Sequence, residues 1–361
     1  NEVDFSIDRD LETEVLPYQN FALDRIRLSA RTTDTDSYKS QETVTGAYLS
    51  TNTDIGEAWT VVLGARWEDF DQTLEYPNDP LSDSELQYDD IYPALNVAWR
   101  MTEEWQLRVG YSETASYPGL IERSTAQSYD PDTDDPIFGN PDLQVSTIDN
   151  VDLRAEYYFS DTESVSLALF YKDITQPVER AVPDASGSAA TRGITFINQD
   201  SAELTGVELD ANIDLWEGDN FLLFAGGNIT YIDSEVTLSE ESLRLEGASS
   251  QGRQLQGQSE WLGNLQFGFD HYPSEQKFTV LFNYFDDRIF RVARGAATGP
   301  EYEDGRLLID LTYENMWSES FTLEASIKNL LNEQVSYSQN GRSIEEYEVG
   351  TLLGVSFKYT F

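Results

Sequence analysis

The chain of 361 residues has no cysteine, a single histidine and only 23 basic residues against 66 acidic ones, a formal charge of −43. Without cysteine there is no disulfide framework, no thiol nucleophile and no thiolate metal site. With so few lysines and arginines the chain repels phosphate backbones, so no nucleic-acid partner is expected. Long apolar runs are missing too: nothing approaches the roughly 18 residues that a membrane helix needs. Residue 1 is Asn, and no charged-then-apolar leader follows it. The expectation is a mature product or a piece of something longer. Length and a mean hydropathy of −0.47 alone would suggest soluble acidic domains. The excess that argues otherwise is aromatic, 12% of a very polar chain.

Periodicity explains where those aromatics go. Trp59, Val61, Leu63, Ala65 and Trp67 alternate with Thr60, Val62, Gly64, Arg66 and Glu68. The same period of two recurs at Trp105–Tyr111, Val151–Phe159, Val165–Tyr171, Val207–Leu215, Phe221–Tyr231, Phe278–Tyr284, Leu307–Tyr313, Phe321–Ile327 and Leu353–Phe361. Each segment is a strand with one apolar and one polar face. About thirteen strands are expected from residue 42 onward, with a weaker fourteenth at Phe21–Arg31 and no amphipathic helix. Short turns at 52–56, 101–104, 160–163, 216–220, 272–276 and 317–320 alternate with long loops at 69–90, 117–146, 177–201, 233–257, 286–304 and 332–347. A β-sandwich has no reason to alternate its connections this way, whereas an outer-membrane barrel does. Trp59, Trp99, Trp105, Trp216 and Trp317 gather by the short turns, and Tyr111, Tyr171, Tyr231 and Tyr284 gather toward the long loops. Two interfacial belts of amphipathic aromatics account for both groups. The fold expected is therefore all-β, an antiparallel up-and-down transmembrane β-barrel. Its polar face, with Arg108, Asp152, Arg154, Glu156, Glu208, Asp210, Asp310 and Glu314, lines a wet lumen.

Family likeness enters at specific motifs. Leu353-Gly-Val-Ser-Phe-Lys-Tyr-Thr-Phe361 resembles the last-strand signal read by the outer-membrane barrel-assembly machinery, carried by Leu353, Val355, Phe357, Tyr359 and Phe361. Ile327-Lys-Asn-Leu-Leu-Asn-Glu-Gln334 resembles the "NLFN" stretch of TonB-dependent outer-membrane receptors. Tyr111-Ser-Glu-Thr-Ala-Ser-Tyr-Pro118 and Phe138-Gly-Asn-Pro-Asp-Leu143 resemble two further blocks of that family. Ser116-Tyr-Pro118 lacks the family's Arg, and Gln144-Val stands where "PE" is usual. The resemblance implies a 22-stranded barrel with an N-terminal plug and a TonB box, in the outer membrane of a Gram-negative bacterium. Residues 1–41 would be an extracellular loop segment with one strand at most, and 42–361 the C-terminal strands of the barrel. No plug and no TonB box can be placed in residues 1–56, so the plug is expected to lie outside this chain. Completion by the remaining strands of a longer polypeptide, or by another chain, is expected, because open edges in lipid carry unpaired backbone groups.

The functional expectation that follows is TonB-dependent uptake of a scarce ligand such as a ferric siderophore, haem, cobalamin or an oligosaccharide. The alternative is a passive, cation-preferring channel or a surface adhesion barrel. Partners implied are outer-membrane lipid and lipopolysaccharide, the barrel-assembly machinery, the plug, and TonB acting through the plug. An enzyme is not expected: His271, by a short turn, has no long-loop partner for base catalysis. Tyr117, Tyr129, Phe138, Arg291, Arg294, Tyr302 and Tyr337 are the loop residues placed to touch a ligand. Arg180, Arg192 and Arg253 add local basic spots to otherwise acidic loops. The stretch 130–135 sets Asp130, Asp132, Asp134 and Asp135 close together, a composition suited to Ca²⁺ although it lacks the EF-hand spacing. No other cofactor is expected.

Overall fold

The structure, a computed structural model, describes residues 34–360 except 36, 132, 134, 184–192, 296 and 319, together with the backbone of two short strands, Phe5–Asp8 and Arg27–Ala30. Its dominant element is one antiparallel sheet of thirteen strands, each hydrogen-bonded to its chain neighbours. In chain order the strands are β1 Lys39–Ile55, β2 Trp59–Glu75, β3 Ser84–Arg100, β4 Trp105–Ser116, β5 Ser146–Tyr158, β6 Ser164–Thr175 and β7 Ser201–Glu217. They continue as β8 Phe221–Thr237, β9 Trp261–His271, β10 Gln276–Phe285, β11 Arg306–Ser318, β12 Phe321–Lys328 and β13 Leu352–Tyr359. This is an up-and-down meander, an open section of barrel wall with β1 and β13 at its edges.

Register joins the apolar residues into rows. Val97, Val109, Leu153, Leu169 and Val207 stand directly opposite one another across β3–β7. Leu153 and Leu169 remain 40% and 48% exposed, as a surface meeting lipid should. The lower belt is built from ring pairs: Trp59 stacks on Trp99 at 5.1 Å, Trp105 tilts against Tyr157 at 4.9 Å, and Trp317 stacks on Phe321 at 5.2 Å. On the opposite face, Arg108 and Arg154 both reach Glu156, at 2.9 and 3.1 Å. There too Asn283 donates to Asn264 (2.6 Å) and Asn264 to Asn228 (3.1 Å), an amide ladder across three strands. Rings fill the hollows left by lumen-facing glycines: Phe170 lies over Gly206 and Phe224 over Gly268, where a Cβ would come within 2.2 and 2.0 Å of the ring.

Three expectations need correction. Residues 69–90 are not mainly loop: β2 and β3 run on to Glu75 and back from Ser84. Asp69, Asp71, Glu75, Glu85 and Asp89 are the outward half of an alternation whose inward half, Phe70, Gln72, Leu74 and Leu86, is buried. Acid density concealed a strand. Likewise β8 extends to Thr237, and the loop after it holds a helix, α2 Glu240–Glu246, capped by the Ser239 hydroxyl. A one-turn helix, α1 Leu120–Arg123, follows β4. Finally, of the strand expected at Phe21–Arg31, Arg27–Ala30 pairs with Phe5–Asp8 in a separate two-stranded sheet and not with the barrel wall. The rest of that segment up to residue 26 lies outside the described residues.

Candidate ligand-facing mouth of the barrel

All the long connections leave one end of the sheet, and they interlock there. Ile137, Leu143, Ile194 and Phe196 form a small apolar nucleus between the 117–145 and 176–200 connections, with Val178 against it. Asn140 donates to the Phe196 carbonyl (2.9 Å), and the Asn198 amide donates to the Gln144 and Gln176 carbonyls (3.1 and 2.8 Å). The Phe138-Gly-Asn-Pro-Asp-Leu143 block thus has a physical role. Asn140 and Leu143 stitch the two loops, and Gly139 lies so near α1 that a Cβ would be 2.1 Å from the Ser124 carbonyl oxygen.

Arginines act as rivets. Arg253 forks onto Glu179 (2.8 and 3.1 Å) and onto Glu246 (both contacts 2.9 Å), tying the 176–200 and 238–260 connections together. The two glutamates are buried and Arg253 is nearly so. Burial alone would lower the Arg253 pKa, but the hydrogen bonds it donates to Glu246 and Glu179 outweigh it and raise it. Arg123, 1% exposed, donates to Gln72 (2.8 Å) and to the Pro141 carbonyl (3.0 Å). Burial pulls its pKa down. Arg291 bridges Glu301 (3.0 Å) and Asp135, Arg180 pairs with Asp130 (3.3 Å), and Arg288 with Glu303 (2.6 Å). Farther along, the hairpins Arg288–Arg291/Glu301–Glu303 and Gln334–Gln339/Arg342–Glu348 merge into one four-stranded sheet. Beneath this roof, at the top of the polar face, lies a cavity of about 550 Å³ lined by Ile148, Ile174, Arg180, Phe196, Arg288 and Phe290 among others.

The residues expected to meet a ligand divide into two groups. Tyr117 is stacked on Phe70 at 4.1 Å and donates to Glu68 (2.9 Å), so it packs the upper wall; burial, then its hydrogen bonds with Tyr92 and Glu68, raise its pKa. Tyr337 packs on Phe290 at 4.5 Å, Tyr302 sits mid-sheet opposite Ile289 and Ser338, and Arg291 is ion-paired. Tyr129, Phe138 and Arg294 are exposed. Of the acidic stretch, Asp130 and Asp135 are paired with arginines, while Asp132 and Asp134 lie outside the described residues, as does Arg192. Among the described residues no group of three or more carboxylates or histidines is placed to hold a metal. His271, 2.5 Å from Ser274 in its own turn, stands at the far end of the sheet from the cavity. Sequence reasoning passed over Arg123, and it saw Arg253 only as a basic spot. A buried arginine is visible only through partners distant in the chain.

Burial, then the Tyr347 hydroxyl, raises the Tyr337 pKa from 10.0 to about 12. The neutral phenol is therefore the folded form. Its contribution to loop packing is complete below pH 10 and is lost as pH rises through about 12. The expected result is a phenolate absorbance step near pH 12 that Tyr337→Phe removes; a step removed near pH 10 instead would refute the burial.

Residues 3–330 match the family described as TonB dependent receptor-like, beta-barrel, and the chain belongs to that family. A curated relative, heme/hemopexin utilization protein C of Haemophilus influenzae, is 22% identical over 227 residues, 53% of this chain and 30% of that protein. Among solved structures, the siderophore receptor PiuA from Acinetobacter baumannii superposes with a TM-score of 0.68 at 17% identity, over 92% of this chain and 45% of PiuA. The FrpB iron transporter from Neisseria meningitidis gives 0.62 at 15% identity, over 93% of this chain and 50% of FrpB. The chain thus spans about half the length of these structures, and less of the curated relative.

Proposed function

We propose that this chain is the C-terminal part of the barrel of an outer-membrane receptor for an iron-type ligand, a ferric siderophore or haem, taken up with energy delivered through TonB. The observation that carries the reading is the family match over most of the chain. The riveted loops above a lumen-side cavity support it, since a receptor that captures scarce ligand needs a preformed mouth. In this reading the polar face, with Arg108, Arg154 and Glu156, meets a plug, and TonB acts through that plug. The outward row Leu353, Val355, Phe357 and Tyr359 on β13, with Phe361 outside the described residues, presents the last strand to the assembly machinery. Lipid and lipopolysaccharide surround the wall.

The test is accumulation of labelled ferric siderophores and haem in cells carrying or lacking the complete receptor, with and without a protonophore. Uptake of one ligand should require both the receptor and the proton-motive force. Receptor-dependent uptake that persists with the protonophore would replace this reading with a passive, cation-preferring channel.

A further inference from the structure

The charged side chains in the wall of the cavity beneath the roof are not equally engaged. Three carboxylates line it. Glu179 accepts from Arg253 and from the Gln256 N–H (2.8 Å), and Glu303 accepts from Arg288 with Arg306 3.5 Å away. Glu122 accepts from the Gly119 N–H (2.8 Å). Arg288 directs both its Nε and its Nη2 at Glu303 (2.8 and 2.6 Å). Arg180 differs. Among the described residues its guanidinium makes one contact, from Nη1 to Asp130 at 3.3 Å, and half of the side chain is exposed. Asp130 lines a smaller neighbouring hollow that shares Arg180, and it is not part of the cavity wall. The Nε–Nη2 edge of Arg180 is thus left with no protein partner among the described residues. The backbone holds this arginine in place. It lies on the hairpin Val178–Ala181/Thr195–Asn198, directly opposite Phe196, so the two side chains share a face. Its N–H donates to the Gln256 side chain (3.0 Å), which in turn donates to the Phe290 carbonyl (2.9 Å).

We propose that Arg180 anchors the ligand by an anionic pair of oxygens, a carboxylate or a catecholate, while an apolar body fills the cavity. The assignment rests on the transport reading above and narrows it: the cargo carries an oxyanion and is not a neutral or cationic complex. The geometry of the group supplies the reason. A guanidinium edge presents two parallel N–H donors, which match two such oxygens at once. A neutral ligand in the cavity would displace water from that edge and offer it no charged partner. The rest of the ligand meets Ile148, Ile174, Phe196 and Phe290, which favour an apolar or aromatic body.

The test measures binding of four probes to the complete receptor in mild detergent: haem, haem dimethyl ester, a ferric tris-catecholate and a neutral ferric tris-hydroxamate. Wild type should bind haem or the tris-catecholate, and the tighter of the two identifies the source of the oxygens. Arg180→Gln should weaken that probe about tenfold or more, the effect of losing one charge-assisted contact. Arg180→Lys, which keeps the charge but not the fork, should fall between. Asp130→Asn breaks the same ion pair and leaves the guanidinium, so it should bind at least as tightly as wild type. Unaltered heat-modifiable mobility shows that each variant is folded. Equal weakening by Arg180→Gln and Asp130→Asn would make Arg180 a structural tie and overturn the proposal. So would unchanged affinity in folded Arg180→Gln, or failure of wild type to bind either anionic probe. Binding of the dimethyl ester or the tris-hydroxamate as tightly as the anionic probe would overturn it too. Uptake that ignores a protonophore, in a receptor that passes these binding tests, counts against the transport reading alone.

Discussion

Replacing Arg253 by methionine is expected to unfasten the roof over the cavity while the strands beneath stay in place. Glu179 and Glu246 are 5% and 1% exposed, and the guanidinium between them supplies four of their hydrogen bonds. Methionine fills most of the volume but leaves two buried carboxylates facing each other. Removing one partner of a buried ionic group typically costs about 3–5 kcal/mol, mostly through the charge left behind. That cost falls on the 176–200 and 238–260 connections, because β7 and β8 are held by their own ladder. Limited proteolysis should cut those two connections at least tenfold faster, with heat-modifiable mobility unchanged. Adding Glu179→Gln and Glu246→Gln to Arg253→Met should recover most of the protection. A protease pattern identical to wild type would show that Arg253 is not a fastener.

The second large effect separates the two faces of one strand. Leu169 sits midway along β6, in register with Leu153 and Val207, and Ala168 beside it points the other way, opposite Arg154 and Glu208. Leu169→Arg should destabilise the protein refolded into lipid by about 2–4 kcal/mol, the penalty for a cation near the bilayer midplane. Ala168→Gln should stay within about 0.5 kcal/mol, as a substitution on a polar surface does. Denaturant titration of the two variants in bilayers measures the difference. Equal effects would mean that the exposed leucine row does not meet hydrocarbon.

The wall was legible in the sequence because a period of two survives any amount of charge on the other face. Trp59 through Trp67 and Phe321 through Ile327 declare both faces within a single strand. What misled was reading composition over pattern. Asp69-Phe-Asp-Gln-Thr-Leu-Glu75 keeps the alternation, yet its acid content suggested a loop, and the inward Phe70, Gln72 and Leu74 pack above the membrane level where hydropathy gives no warning. The mouth was less legible. Motifs located Asn140 and Leu143, but the partner of Arg253 at Glu179 lies 74 residues away and that of Arg123 at Gln72 lies 51 away. Nothing local marks which distant side chain each arginine will choose.

The sheet shared by the 286–305 and 329–351 connections also constrains how this surface can change. Glu301–Glu303 is hydrogen-bonded to Gln339–Tyr337 across the two loops, and Asp304 accepts from both Ser336 and Ser338 (2.7 and 2.5 Å). Surface loops that stand alone can change in sequence and length independently of one another. These two cannot. An insertion within either paired strand shifts its register against the other, so the two strands must vary together. Change in these paired strands at this corner of the mouth therefore requires coordinated substitutions in segments some forty residues apart, as Gly299 and Gln339 are.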